Sequence, residues 1–406
     1  MSMRIAEIPK WVLCATVLGA PLYLVRFHVG VVPTNILEVL VGLCTLVWCT
    51  GHIYNRTCPR VPSWWKPAAL IVIGGVVSAL AAPPELWLKS FGILKGFILE
   101  PMLVGWIASD VVKGRQMISD KWQMTHWLLV SIMLSAAAVA LLSLTAYLGF
   151  ARDAFITWDG RLGGIFLSPN HFAMTLGPVA VLALGLTFFL HNKKLRLFAA
   201  LALISLVPAL WLTQSFGGIV SAVMAMLIAC TISFLHTFPQ RRFFVLALIT
   251  VALITIAVST TFLLSKDLSN PRSSFASRVT VWRVSGEILK DHWLFGIGPG
   301  NFQKHYLAQQ KKFPPYLEWA VPQPHNLFLA FWLQTGSFGF AGFLWLLVLS
   351  VKKALLATTR LSSDPLAPTA LIALTAIIAI VLHGLADTTY WKNDLALIFF
   401  VLLAMW

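Results

Sequence analysis

Apolar positions run along this chain in long unbroken stretches rather than in strict alternation. Twelve can be drawn, at roughly 11–28, 35–52, 65–82, 92–110, 125–149, 169–190, 197–213, 217–236, 243–264, 325–350, 366–384 and 391–406. A helix needs roughly 20 residues to cross a ~30 Å hydrocarbon core. Strands of a membrane barrel would read as ~10-residue alternating segments instead. The pattern predicts an all-α, polytopic integral membrane protein with about 12 transmembrane helices, a single membrane domain over 1–406. One long polar interval, 265–324, interrupts it. Within that interval Val279, Trp282, Ile288 and Leu289 recur at helix-like spacing, with Arg278, Arg283, Glu287 and Lys290 between them. This reads as an amphipathic helix closed by the turn "GIGPGN".

Composition agrees: the 406 residues are 58% hydrophobic and 11% charged, against ~45–50% and ~25% for soluble domains. The net charge of +15 could suggest a nucleic-acid partner, but the positions of the charges give it another meaning. Arg4 and Lys10; Arg56, Arg60 and Lys66; Lys113, Arg115 and Lys121; Lys193, Lys194 and Arg196; Arg241 and Arg242; and Lys352, Lys353 and Arg360 occupy alternate short connections. Cytoplasmic loops collect Lys and Arg, so both termini are expected in the cytoplasm and 265–324 outside. The partner implied is the lipid bilayer, with no nucleic acid. The first apolar run lacks a small-residue cleavage site and reads as a span rather than a signal peptide. Cys14, Cys44, Cys49 and Cys230 fall in spans and Cys58 in a cytoplasmic loop, so no disulfide framework or zinc spacing is implied.

With that orientation, the unusual polar residues gather at the outer ends of spans: "VPTNILE" (32–38), "RLGGIFLSPNHF" (161–172), "LTQSFGG" (212–218), "SRVTVWR" (277–283), "PQPHN" (322–326) and "HGLADTTYWKND" (383–394). Polar groups at membrane depth are costly and usually mark a site or pathway. "GIGPG" lacks the Lys and Ser/Thr of a P-loop, and GxSxG, HExxH and Asp-x-Asp are absent. An outward-facing enzyme has little access to ATP or sugar nucleotides, so it would need a donor already activated. A lipid-linked pyrophosphate fits that need.

The pieces "PTNILE" (33–38), "FGILKGFILEP" (91–101), "RLGGIFLSPNHFA" (161–173), "SRVTVWRVSGEILKDHWLFGIGPGNF" (277–302), "PHNLFLAFWLQTGSFG" (324–339) and "HGLADTTYWKNDLA" (383–396) resemble in order and spacing the O-antigen ligase family of polytopic membrane proteins. That family also takes in O-antigen polymerases and pilin-glycan ligases. The resemblance implies en bloc transfer of a glycan from undecaprenyl pyrophosphate to a glycan or lipid acceptor, on the outer face of the cytoplasmic membrane. It implies an inverting, metal-independent reaction without cofactor. His325 stands at the family's histidine and would position or deprotonate the acceptor hydroxyl. Arg278 stands at the family's loop-helix arginine and would bind pyrophosphate. Phe216 stands where a second arginine is expected, which leaves Arg161 and Arg283 as substitutes.

The residue chemistry is compatible with those roles. A neutral imidazole can accept a proton near neutral pH, and guanidinium forks suit phosphate. Each residue also has a plainer reading. His325, Asn170 and Asn326 could cap helices. Arg278 could pair with Glu287 or Asp291, and Arg161 could snorkel. Asn170, His171 and Asn326 are further substrate-binding candidates. Asp387, four residues after His383, could orient a histidine or bind sugar hydroxyls. Lys95 and Glu100 share an apolar span, where ionisable groups tend to pair, and are substrate-binding candidates near the lipid headgroup. Trp158, Trp293, Tyr316 and Trp319 could line a sugar groove or form an interfacial belt. Two other classes remain open: a transporter of a polyprenyl-linked or anionic substrate, and a non-catalytic scaffold. A transporter would show polar residues through both faces and repeats with broken helices at mid-depth.

Overall fold

The computed structural model describes residues 8–30, 32–113, 118–149, 151–190, 192–237, 274–314, 321–358 and 367–405. The expected span 243–264, the Arg241–Arg242 connection, Tyr316 and Trp319 lie outside the described residues. Fifteen α-helices, counted among the described residues, run in chain order: α1 (Ile8–Leu18), α2 (Ile36–Asn55), α3 (Trp65–Ala81), α4 (Trp87–Leu94), α5 (Glu100–Lys113), α6 (Ile118–Leu148), α7 (Arg152–Phe155), α8 (Pro169–Phe189), α9 (Lys193–Leu212), α10 (Phe216–Thr237), α11 (Ser274–His292), α12 (Phe302–Gln309), α13 (Leu327–Thr358), α14 (Ala367–His383) and α15 (Asn393–Leu403). Among the described residues six helical runs are long and apolar enough to cross a membrane: Ile36–Asn55, Pro84–Lys113, Gln123–Leu148, Pro169–Phe189, Lys193–Leu212 and Leu327–Thr358. Ile8–Leu18, Trp65–Ala81, Phe216–Thr231, Ala367–His383 and Asn393–Leu403 are apolar but shorter. The chain is a helical membrane protein.

Three expectations change at this point. The first apolar stretch does not continue as one helix to residue 28. Gly19 and Pro21 end α1, a short 3-10 turn follows at Ala20–Leu24, and strands β1 (Arg26–Val29) and β2 (Val32–Asn35) form an antiparallel hairpin with Arg26 opposite Asn35. The fold is therefore helical with one small hairpin rather than all-α. The last apolar stretch forms only the 11-residue α15, buried along its length from Asp394 to Leu403. At ~1.5 Å per residue it rises about 16 Å, roughly half of a ~30 Å hydrocarbon core, and its burial makes it a core helix of the bundle.

The third change concerns α11. Its buried positions are Ser277, Val281, Val284, Ser285 and Ile288, a face rotated from the one read through Val279 and Trp282. Val281, Val284 and Ile288 meet Ile297, Phe302, Tyr306, Val321 and Leu333 in a small core of their own. The helix thus packs on protein.

Small residues set the backbone distances. α3 crosses α13 so closely that a Cβ on Gly74 would sit 2.2 Å from the Gly339 amide nitrogen, and one on Gly342 would sit 2.8 Å from the Pro67 carbonyl oxygen. Close approach through small residues is how membrane helices gain van der Waals contact in the absence of a hydrophobic drive. α13 itself breaks at Gly336, where φ is +65°. The "GIGPGN" turn fits into this break. Ile297 N donates to Leu333 O at 2.7 Å and Ser337 N to Leu294 O at 2.9 Å. Gly300 N donates to the buried Gln334 side chain at 2.8 Å, Gly298 N to Ser78 Oγ, and Asn301 Nδ2 to Ser90 Oγ. The segment after α11 is thereby bolted to α3, α4 and α13.

Candidate functional site

Two turns meet at the end of the bundle where α13 begins and α14 ends. Leu327 N donates to Gly384 O at 2.7 Å, and Asn326 Nδ2 to Leu385 O at 2.9 Å. The Asn326 Oδ1 accepts from the Phe328 and Leu329 amides, which is N-capping. His325 sits in the left-handed region at φ +46°, a conformation that costs a non-glycine residue about 1–3 kcal/mol and gathers at functional sites. Trp282 of α11 holds the turn by donating its indole N–H to His325 O at 3.0 Å.

That turn aims the imidazole at Asp387. His325 Nδ1 lies 3.1 Å from Asp387 Oδ1, which also accepts from the Thr388 amide at 2.9 Å. Arg278 Nη2 approaches the other carboxylate oxygen at 3.5 Å, and its Nε donates to Ala386 O at 2.7 Å. A further guanidinium nitrogen donates to Ser274 Oγ and to Ser274 O. The Arg278 partners raised from sequence, Glu287 and Asp291, are not the ones used: Glu287 pairs with Lys290 at 2.5 Å. Burial would raise the Asp387 carboxyl. The hydrogen bond from His325 and the positive charge of Arg278 outweigh it and hold the group below the ordinary carboxylate range. An ionised carboxylate only accepts, so the His325 proton sits on Nδ1 and Nε2 keeps a free lone pair. The His325 side chain is 25% exposed against 4% for Asp387: the carboxylate is covered and the ring is reachable.

His383 does not share a helix face with Asp387, because α14 stops at His383 and the chain turns. It is buried instead, and a Cβ on Gly217 or Gly218 would lie 3.1 Å or 3.3 Å from its ring. "SFGG" thus makes room for a histidine where the family's second arginine is expected.

Arg161 reaches that same junction. Its Nε donates to Thr213 O at 2.9 Å and its Nη2 to Asn170 Oδ1 at 3.0 Å, with Asp159 at 3.9 Å. It lies within the electrostatic reach of Arg278. Asn170 is therefore an arginine ligand rather than a cap; Ser168 caps α8 by accepting from the His171 amide. Arg283 is placed elsewhere. It projects from the exposed face of α11, and nothing among the described residues joins it to this cluster.

His171, a substrate-binding candidate from sequence, is buried. Its Nε2 lies 3.4 Å from both Asp394 Oδ1 and Tyr23 Oη, and Thr175 Oγ1 donates to Asp394 Oδ2 at 3.3 Å. It braces α8 against α15. Lys95 and Glu100 do pair, at 3.8 Å, but the nearer partner of Lys95 is Glu38 at 2.9 Å, which also accepts from Thr34 Oγ1. The pair sits where the helix widens into a π turn, Lys95–Leu99, a feature frequent at functional sites. Glu38 and Asp394 were missed from sequence. The available signal was an acid in the first turn of an apolar run, in "PTNILE" and "WKND". Trp158 and Trp293 are both exposed. Among the described residues no group of three or more His, Cys, Asp or Glu gathers as a metal centre.

A polytopic helical membrane protein that collects His, Asp and Arg at one end of its bundle is the class so defined. Residues 201–344 match the model of the family described as O-antigen ligase. The match bears out the resemblance and a glycan-transferring role in a membrane. It includes Arg278, Arg283, His325 and Asn326, while Arg161 and Asp387 lie outside it. No curated protein matches the chain.

Proposed function

We propose that the protein transfers a glycan en bloc from undecaprenyl pyrophosphate to an acceptor hydroxyl on the outer face of the cytoplasmic membrane. The observation that carries this reading is the His325–Asp387–Arg278 constellation. His325 Nε2 takes the acceptor hydroxyl proton while the oxygen attacks the anomeric carbon from the face opposite the leaving group. The bond from that carbon to the pyrophosphate oxygen breaks, and the configuration inverts. Asp387 fixes the tautomer and stabilises the imidazolium, as an orienting carboxylate does in hydrolytic triads. The charge that develops on the pyrophosphate falls to Arg278 and Arg161. Oriented cations of this kind usually contribute more to lowering such a barrier than any other single effect.

The arginines also hold the protein together, and this refines their role. Arg278 gives Nε to Ala386 O and Nη1 to Ser274 and turns Nη2 toward Asp387, so it sets the site, and a phosphate draws on its charge and on the remaining N–H of Nη2. Arg161, bonded to Thr213 O just before the Phe216 segment, supplies the second cation in place of the arginine that Phe216 replaces. The bilayer and the lipid-linked glycan are then the partners, with a glycan or a lipid as acceptor.

The test is a transfer assay in liposomes with a polyprenyl-pyrophosphate glycan and two acceptors, a lipid A core and a second donor molecule. Product on the core that vanishes in His325→Ala establishes a ligase using His325. A ladder of longer lipid-linked glycans establishes a polymerase instead. Equal product from His325→Ala overturns the assignment of the base.

A further inference from the structure

α13 runs from the His325 turn to the opposite end of the bundle, where its Lys353 bonds the Ser63 hydroxyl. An apolar trough of about 530 Å³ lies beside Ser63, between α3 and α5. Its walls are two helical stripes. Trp65, Ala68, Ala69 and Val72 stand at i, i+3, i+4 and i+7 on α3, and Leu99, Met102, Leu103 and Trp106 repeat that spacing into α5. Each stripe rises about 10 Å, roughly two-thirds of the ~15 Å hydrocarbon depth of one leaflet. The trough stops where α3 meets α4: a Cβ on Gly75 would lie 2.5 Å from Leu94 Cδ1. Val61, Trp65 and Leu99 on its rim are exposed.

The mouth of the trough is aromatic and cationic, and contacts fix both features. Trp64, Trp65 and Trp106 gather there, the residue type that favours the membrane–water boundary. Lys66 Nζ stands 5.8 Å from the centre of the Trp65 ring, within cation–π range. Trp106 donates its indole N–H to Arg60 O at 2.9 Å, which seats Arg60 beside it. The Arg60 guanidinium gives one N–H of its fork to Lys113 O. Among the described residues neither Arg60 nor Lys66 forms an ion pair. Asp110, the acid bonded to this segment, is already taken by His52 at 2.7 Å, by Trp48 at 2.9 Å and by the Arg60 amide at 2.7 Å. Trp64 is buried, yet its indole N–H meets no acceptor among the described residues.

An apolar trough on the lipid side, capped by two cations without a countercharge, matches one kind of molecule. It must carry a chain for the stripes and an anion for the rim, and basic pockets between membrane helices select such lipids. We propose that the trough binds one anionic diacyl phospholipid of the leaflet opposite the His325 site, an acyl chain along α3 and α5 and the phosphate on Arg60 and Lys66. This inference is independent of the transferase reading.

The test uses the full chain in detergent, read by native mass spectrometry, with equimolar palmitoyl-oleoyl phosphatidylglycerol and phosphatidylcholine as probes. Wild type should retain one phosphatidylglycerol in preference to phosphatidylcholine; no preference overturns the site. Arg60→Gln and Lys66→Gln should each lower the preference about fivefold, the effect of one cation at a lipid surface, and together bring it near parity. Lys193 and Lys194 are exposed cations at the start of α9, which lines no part of the trough. Changing both to Gln should leave the preference intact. An equal loss there would mean that basic charge at large attracts the lipid, and the site would fall. Ala69→Phe, with Val72→Phe as a second blocking variant, fills the trough and keeps both cations. Either should lose the retained lipid, and retention at the wild-type level in both would show that no chain lies there. Displacement of phosphatidylglycerol by an equimolar polyprenyl phosphate would overturn the diacyl occupant and give the trough to a prenyl chain.

Discussion

His325 Nδ1 stands 3.1 Å from an oxygen of Asp387 whose partner oxygen faces Arg278 at 3.5 Å. One carboxylate, covered from solvent, thus orients the ring and neutralises the guanidinium at once. Replacing Asp387 by Asn keeps the volume and removes both effects. The expected result is a kcat lower by about 10²- to 10⁴-fold, as when an orienting carboxylate is neutralised elsewhere, with donor KM changed far less. Steady-state transfer kinetics check it; a kcat within threefold of wild type would remove Asp387 from the mechanism.

The same carboxylate makes a prediction about pH. A carboxylate whose folded value is depressed adds stability above its ordinary value, here 3.8, and loses it as pH falls through the folded value. Asp387 therefore contributes fully at neutral pH and begins to lose its contribution only below about pH 4. Unfolding midpoints recorded from pH 7 down to pH 3 should drop more steeply in wild type than in Asp387→Asn at the acid end. An Asp387-dependent drop between pH 7 and 5 would contradict the assignment.

Arg278→Lys keeps the charge and loses the fork. Lysine has no fixed geometry with which to bond Ala386 O and approach Asp387 together. Transfer should fall at least tenfold, and stability by about 1–3 kcal/mol for the partners left unpaired. Differential scanning fluorimetry in detergent, run beside the transfer assay, reads both.

Arg161 and Arg283 give a paired contrast. Arg161→Gln should raise donor KM about tenfold or more, the scale of one charged hydrogen bond of about 1.5–3 kcal/mol. Arg283→Gln should leave donor KM within twofold, because Arg283 points away from the cluster. The reverse ranking would assign the missing arginine's work to Arg283.

Gly74→Ala tests the packing that carries α13 and so the placement of His325. The added carbon would meet Gly339 N at 2.2 Å and Thr335 O at 2.6 Å. Backbone cannot step aside as a side chain can, so the cost should exceed the usual ~1–3 kcal/mol of overpacking. A sharp fall in folded yield is the expected readout.

Much of this could be read from the chain because lipid imposes long apolar runs. α8 and α13 begin within two residues of where the pattern put them. α1 and α15 could not be read correctly. Both look like spans by composition, yet Gly19 and Pro21 end the first, and the second is a core helix whose surroundings are protein. His325 and Arg278 were legible through the family resemblance. Their meeting on Asp387 was not, since it joins residues 62 and more positions apart. Sequence showed Lys95 and Glu100 in one apolar run, but the shorter bond goes to Glu38 on another helix. His171 read as a substrate-binding candidate at a span start; the buried Asp394 that meets it lies 223 residues on.

One short turn, 384–394, touches almost everything at this end of the molecule. Asp387 steers the base, Lys392 faces the open side, Asn393 grips Gly96 and Asp394 grips His171. The orientation of the His325 ring and the seating of α8 and of the Lys95–Leu99 turn are therefore written into one stretch of eleven residues. A substitution that shifts this stretch moves all three together. Transplanting the His325–Asp387 pair into another helical bundle would accordingly demand exchange of the turn together with its fixed partners at Gly96, on α8 and on α11.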